Sequence, residues 1–161
     1  MAKAEELFNK ANSVKSNGES NLNLGLIALT KGDQAKAQQL FGSAGSVAEL
    51  SEALGVLYLE QGEYAKAVNS FGSSKTNNAA LAQILAKDYS KAAQTLNAIE
   101  KADGTTAYLK AIVAARTNDA AGVVSNLKAA VAKDPSFAKE AAQDLEFAKY
   151  VTNADFSNLI K

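Results

Sequence analysis

The sequence predicts an all-α chain of helix hairpins stacked as an α-α superhelix, or solenoid. A half-unit helix precedes the hairpins and capping helices close them. Three observations predict this. Alanine, leucine, lysine and glutamine dominate the 161 residues, β-branched residues are sparse and proline occurs once, at Pro135, a composition that favours helix. The stretch 23–41, NLGLIALTKGDQAKAQQLF, aligns without gaps with 53–71, ALGVLYLEQGEYAKAVNSF. Turn signals also recur at Gly32-Asp33, Gly62-Glu63, Lys87-Asp88 and Asn118-Asp119, with steps of 30, 25 and 31 residues from 33 to 63 to 88 to 119. That is the size of a helix hairpin, and internal similarity of this period marks a repeat architecture.

The elements follow in order. Residues 1–17 read as a half-repeat helix over about 3–16, with Ala4, Phe8 and Ala11 placed as a second helix of a hairpin places its core. Its partner first helix would lie upstream, so the reading expects a fragment of a longer array or a half-repeat cap. The face bearing Leu7 is expected to be exposed or used in contacts between chains, which makes this helix a route to a homo-oligomer.

Hairpins follow at 20–45, 46–75, 76–102 and 103–135. Each first helix carries a small residue, Gly25, Gly55, Ala80 or Ala111, where smallness is expected to let paired backbones approach. Each second helix carries a core pair four residues apart on one face: Ala37 and Phe41, Ala67 and Phe71, Ala92 and Leu96, Val123 and Leu127. Ser46 and Glu49 form the ends of a capping box. Asp33, Asp88 and Asp119 suit the N-termini of second helices by capping or by charge–dipole attraction. Gly42 and Gly72 suit left-handed C-caps. The third first helix has little room, roughly 78–86.

Asp134-Pro135 ends the fourth hairpin, because a residue before proline avoids the α region. The region 136–161 reads as capping helices. The first runs to about Val151 with Phe137, Ala141, Leu145 and Ala148 as its apolar stripe, and the second spans ADFSNLI.

These residues resemble the tetratricopeptide repeat. The second hairpin carries the family's hallmarks in Leu54, Gly55, Tyr58, Gly62, Glu63, Tyr64, Ala67 and Phe71. The first carries Leu24, Gly25, Gly32, Asp33, Ala37 and Phe41, with Ala28 and Gln34 in place of aromatics. The third keeps Asp88, Tyr89, Ala92 and Leu96. The fourth matches through Ala111, Ala114, Asn118, Asp119 and Asp134-Pro135. The resemblance covers roughly residues 20–135. It departs from the family's period of about 34 residues, and losing four residues removes about one helical turn, so an irregular superhelix is expected.

The resemblance implies a non-catalytic protein–protein interaction module that holds a peptide or helix in a concave groove lined by first helices. The matching positions are Leu22, Leu26 and Leu29 in the first hairpin. The second supplies Glu49, Glu52, Val56 and Glu60, and the fourth Tyr108, Ile112 and Arg116. Leu22, Leu26 and Ile112 have two readings: core beneath the array's own C-terminal helix, or an open patch for a partner. The first makes the chain a structural spacer or assembly segment. The glutamates form a solvated face or a site for a basic partner. Tyr58, Tyr64 and Tyr89 take packing positions, and Tyr108 is the aromatic expected at the surface. Family members that clamp a C-terminal carboxylate use cations where this chain has Leu22, Leu26, Glu52 and Val56, so that activity is not expected.

Other classes find little support. The chain has no cysteine and no histidine, which removes the usual nucleophile–base sets and the commonest metal ligands. No cofactor and no metal is expected. Lysine plus arginine and aspartate plus glutamate both number 17, and zero net charge argues against a broad nucleic-acid footprint, which needs clustered positive charge. The N-terminus has no apolar run of signal-peptide length, and LGLIAL is far too short to span a bilayer. None of this fixes a compartment.

Overall fold

The computed structural model describes residues 2–15, 17–45 and 50–161, and the Ser46–Glu49 capping box lies outside them. Every regular element among the described residues is helical. The chain divides into two compact units, Met1–Ser73 and Ser74–Lys161. The first holds α1 (Ala2–Val14), α2 (Gly18–Thr30), α3 (Gln34–Gly42), α4 (Leu50–Glu60) and α5 (Tyr64–Phe71). The second holds α6 (Asn77–Leu85), α7 (Tyr89–Asn97), α8 (Gly104–Arg116), α9 (Ala120–Lys133), α10 (Ser136–Gln143), a 3-10 helix (Leu145–Tyr150) and α11 (Ala154–Leu159).

The four hairpins are α2–α3, α4–α5, α6–α7 and α8–α9, and their inner register is invariant. From each small residue the turn comes 7 residues on and the large core residue 16 on: Gly25 to Gly32 and Phe41, Gly55 to Gly62 and Phe71, Ala80 to Lys87 and Leu96, Ala111 to Asn118 and Leu127. The unequal period therefore arises outside this 17-residue core, in the connectors and helix starts. The third first helix is short, as expected: α6 has 9 residues where α2 and α8 have 13.

The turns repeat in geometry as well. Gly32, Gly62, Lys87 and Asn118 take φ of 77°, 74°, 64° and 62°. In each, the next residue's N–H reaches back five residues: Asp33 to the Ala28 carbonyl at 2.9 Å, and Glu63 to Tyr58, Asp88 to Gln83 and Asp119 to Ala114 at 2.8 Å. The left-handed residue's own N–H bonds to the carbonyl three before it. This pair of bonds is the Schellman motif, which satisfies the last carbonyls of the first helix. Asp33, Asp88 and Asp119 then accept from the N–H of Lys36, Lys91 and Gly122 and so start the second helix. Glu63 makes no side-chain cap.

The two glycines meet the partner helix of their hairpin through its aromatic side chain. A methyl group on Gly55 would lie 2.5–2.7 Å from three ring carbons of Phe71, and one on Gly25 would meet the Phe41 ring in the same way. The nearest neighbour that demands smallness at both glycines is an aromatic ring. Where the first helix has alanine, the partner is leucine: Ala80 with Leu96, and Ala111 with Leu127, all fully buried. Volume is thus conserved across each hairpin, Gly with Phe and Ala with Leu, as dense packing requires.

In the first unit, Leu22, Ala28, Leu29, Ala37, Phe41, Ala44, Ala53 and Leu57 make one core. α2 packs on α4 as well as on α3, and α3 packs on α4. Helix α1 packs on α2 without burying any residue fully. It is tied down by polar groups: Asn12 Nδ2 donates to Asn21 Oδ1 at 2.6 Å, Asn21 Nδ2 donates to the Ser43 carbonyl at 3.0 Å, and Lys31 pairs with Glu5.

In the second unit α6 packs on α8 as α2 does on α4, and α7 packs on α8. One core joins α6, α7 and α8 around Ala80, Ile84, Leu96 and Leu109. Another joins α8 and α9 to the C-terminal elements through Phe147, Tyr150 and Phe156. Asp103 and Thr106 form a capping box at the start of α8. The buried Thr106 hydroxyl also bonds Asn77 Oδ1 at 3.0 Å, which locks the start of α8 to the start of α6.

Two further expectations are corrected. Gly42 is the last residue of α3, and Ser43 follows as a right-handed cap, so the positive φ falls at Gly45. Gly72 does take a positive φ of 56°, but its ψ of −113° is not that of a left-handed cap. The helix expected from Ser136 to Val151 breaks at Asp144, which is extended and accepts from the Glu146 N–H at 2.9 Å. The break shifts the apolar register: Phe147 and Tyr150 are buried, while Leu145 and Ala148 are exposed.

Candidate interaction surface

The first-helix positions split into two sets, one in each unit. In the first unit, Leu22 and Leu29 are core residues, and Leu26 on the same helix is 39% exposed. On α4, Glu52 and Val56 are half-buried and Glu60 is exposed. Glu49 lies outside the described residues. The groups these positions leave accessible are Leu26, part of Val56 and Glu60.

In the second unit Tyr108, Ile112 and Arg116 stand four residues apart on one face of α8, and the chain's own C-terminal elements engage Tyr108 and Arg116. Tyr108, expected at the surface, is buried. Its ring stacks on Phe137 at 5.1 Å and meets Phe147 edge-on at 5.6 Å, both favourable aromatic geometries. Its hydroxyl donates to Asp144 Oδ2 at 2.8 Å. Burial pushes the Tyr108 phenol well above the usual tyrosine range, and the Asp144 carboxylate adds to the shift. Ile112 packs, half-buried, against both cores of this unit. Arg116 is exposed but forked onto Glu146: Nε donates to Oε2 at 2.6 Å and Nη2 donates to Oε1. That fork is the bidentate geometry a guanidinium prefers.

Tyr108 is buried in part because the Phe137 ring, carried by α10, reaches the start of α8. A methyl group on Gly104 would sit 2.6 Å from Phe137 Cε2, so the absent side chain there admits the ring that covers Tyr108. The break at Asp144 then turns the backbone so that Asp144, Glu146 and Phe147 all face α8. Residue-by-residue reading did not find these four partners. Helical periodicity ran through the break, and the one local signal was an aspartate two residues before a glutamate.

Beside this contact runs a cleft of about 490 Å³ lined by Arg116, Asp144, Leu145, Glu146 and Lys149. Its cations are engaged. Arg116 is held by Glu146, and Lys149 Nζ donates to Asn118 Oδ1 at 2.6 Å and to the Ala115 carbonyl at 2.9 Å. Among the described residues no group of three or more acidic, histidine or cysteine side chains is placed to hold a metal ion. Among the same residues no helix is long and apolar enough to cross a membrane.

No family model matches the chain. No curated protein and no solved structure matches it either.

Proposed function

We propose that the chain is a non-catalytic protein-binding module, an α-α superhelix of tetratricopeptide-like hairpins whose first helices hold a segment of a partner protein. The observation that carries this reading is the clasp on α8. There a first-helix stripe already holds a polypeptide segment by ring stacking, a phenol–carboxylate bond and a guanidinium fork. The equivalent face of the first unit carries Leu26, Val56 and Glu60 and suits an extended or helical segment with apolar side chains and a basic residue. A rigid surface of this kind limits the ordering cost of binding.

The same clasp also favours a second reading, in which the chain is a spacer or assembly segment whose first-helix faces are satisfied by its own C-terminal elements. A pull-down with the intact chain separates the two. A binding module loses its partner on Leu26→Glu and on Val56→Glu, and keeps it on Leu145→Glu at the far end of the chain. Equal recovery by all three variants contradicts the binding reading.

A further inference from the structure

Asn17 is the one asparagine of the chain that glycine follows; every other is followed by a residue with a side chain. The pair has a chemistry of its own. The backbone nitrogen after an asparagine can attack the side-chain amide, and a β-carbon on that next residue crowds the approach. Asn17 is exposed and caps α2, with Gly18 as the first helical residue. The first N–H groups of a helix have no intrahelical acceptor, so the Gly18 nitrogen is not committed to the ladder. One side-chain bond restrains the amide: its Oδ1 accepts from the Ser20 N–H at 2.7 Å. The extended ψ of 152° turns the Gly18 nitrogen away from the amide carbon, so the cap must open before the two meet, and that opening sets the pace.

The start of α8 carries Asp103-Gly104, again a cap followed by glycine, and there the structure locks the pair. Asp103 Oδ1 accepts from the Thr106 N–H at 2.8 Å and from Asn77 Nδ2 at 3.2 Å. Those donors hold the carboxyl below the usual 3.8, and an ionised carboxylate resists a nucleophile. Phe137 Cε2 lies 2.6 Å from where a Gly104 β-carbon would be, so the ring restrains that backbone. No ring presses on Gly18 in this way.

We propose that Asn17-Gly18 is a self-modifying site, at which the chain loses ammonia and gains water, and that the product releases α1 from α2. The Gly18 nitrogen bonds to Asn17 Cγ, the Cγ–Nδ2 bond breaks, and the Gly18 proton leaves with that nitrogen as ammonia. Water then opens the cyclic imide. Addition at Cγ restores the peptide bond and leaves aspartate at 17. Addition at the former backbone carbonyl leaves isoaspartate, with an extra methylene in the main chain. Aspartate caps a helix as well as asparagine does and keeps the joint. Isoaspartate displaces the groups that make it: the Asn17 N–H on Asn12 Oδ1 at 3.2 Å, the Asn17 carbonyl on the Asn21 N–H at 3.1 Å, and the cap on Ser20. Helix α1 buries no residue fully, so it depends on such polar ties.

The test warms the full chain in mildly alkaline buffer and follows it by mass spectrometry of its tryptic peptides, residues 16–31 carrying the site. Asn17 converts before every other asparagine and Asp103 stays intact. Gly18→Ala, a change that a helix favours, slows the conversion by about tenfold or more. Hydrogen exchange quickens in α1 of the isoaspartate fraction, while Asn17→Asp exchanges as the fresh chain does. Conversion led by any other asparagine overturns the site, as does a rate indifferent to Gly18→Ala. An isoaspartate fraction whose α1 exchanges at the fresh rate overturns the release. The binding reading stands or falls separately, on Leu26 and Val56.

Discussion

Gly55 lies directly beneath the ring of Phe71, with three ring carbons 2.5–2.7 Å from where a β-carbon would be. The same relation joins Gly25 and Phe41, and in the other two hairpins alanine and leucine replace glycine and phenylalanine. Each hairpin thus carries one size-matched pair at the same register.

The third hairpin tests the rule from the opposite side. Leu96→Phe forces a ring onto the β-carbon of Ala80 and is expected to cost about 1–3 kcal/mol by overpacking. Adding Ala80→Gly makes room for the ring and recovers most of that loss, less about 1 kcal/mol of helix propensity. Urea unfolding of the two variants checks it. The rescue requires the two residues to be direct neighbours.

Lys87 holds a φ of 64°, which costs a side-chain-bearing residue about 1 kcal/mol relative to glycine. Lys87→Gly is therefore expected to stabilise the chain by about 0.5–1 kcal/mol, visible as a raised Tm. Asn118→Gly gains less, because it removes the bond from Lys149. Asp88→Ala, in the same turn as Lys87, removes the cap on the Lys91 N–H and costs about 1 kcal/mol.

Tyr108→Phe keeps the ring stack and removes the bond to Asp144, a loss of about 1–2 kcal/mol at neutral pH. Folding raises the Tyr108 pKa above its ordinary 10.0. The stabilisation is thus full below the unfolded value and is lost as pH rises through that value toward the folded one. The stability gap between wild type and Tyr108→Phe is expected to be constant below about pH 9 and to shrink above about pH 10, followed by urea midpoints. A gap that widens with alkali contradicts a buried neutral phenol.

At the other end of the scale, the Thr106 N–H and hydroxyl, with the Asn77 amide, hold the Asp103 carboxyl below the usual 3.8. A depressed carboxylate stabilises above its unfolded pKa, and that contribution fades as pH falls through the folded value. Asp103→Ala is expected to cost about 1–2 kcal/mol at neutral pH. Its stability deficit closes in acid, below about pH 4, and thermal melts at several pH values follow the closure.

Much of the fold was legible because it rests on local rules. Gly32, Asp33 and their equivalents announce the turns through the φ and the capping chemistry they supply. Ala37 and Phe41, with their counterparts, announce the buried face by spacing alone. What escaped depends on groups far apart in sequence. Gly25 reads as small, but only coordinates show that the Phe41 ring presses on it. Asp144 reads as one more residue of a helix until the Tyr108 hydroxyl and the Glu146 N–H are each seen to donate to one oxygen of its carboxylate. The candidate surface was half legible. The spacing of Tyr108, Ile112 and Arg116 on α8 was legible, yet the segment against Tyr108 and Arg116, reached across about thirty residues of chain, left almost no local mark.

The size-matched crossing is tested most directly by a double-mutant cycle on Gly55 and Phe71, read by urea unfolding of the full chain. In the wild-type background Gly55→Ala is expected to destabilise by about 1–3 kcal/mol despite the better helix propensity of alanine. In the Phe71→Leu background the same change becomes neutral or stabilising by up to about 1 kcal/mol, since the pair then matches Ala80 and Leu96. An equal effect of Gly55→Ala in both backgrounds would contradict the account.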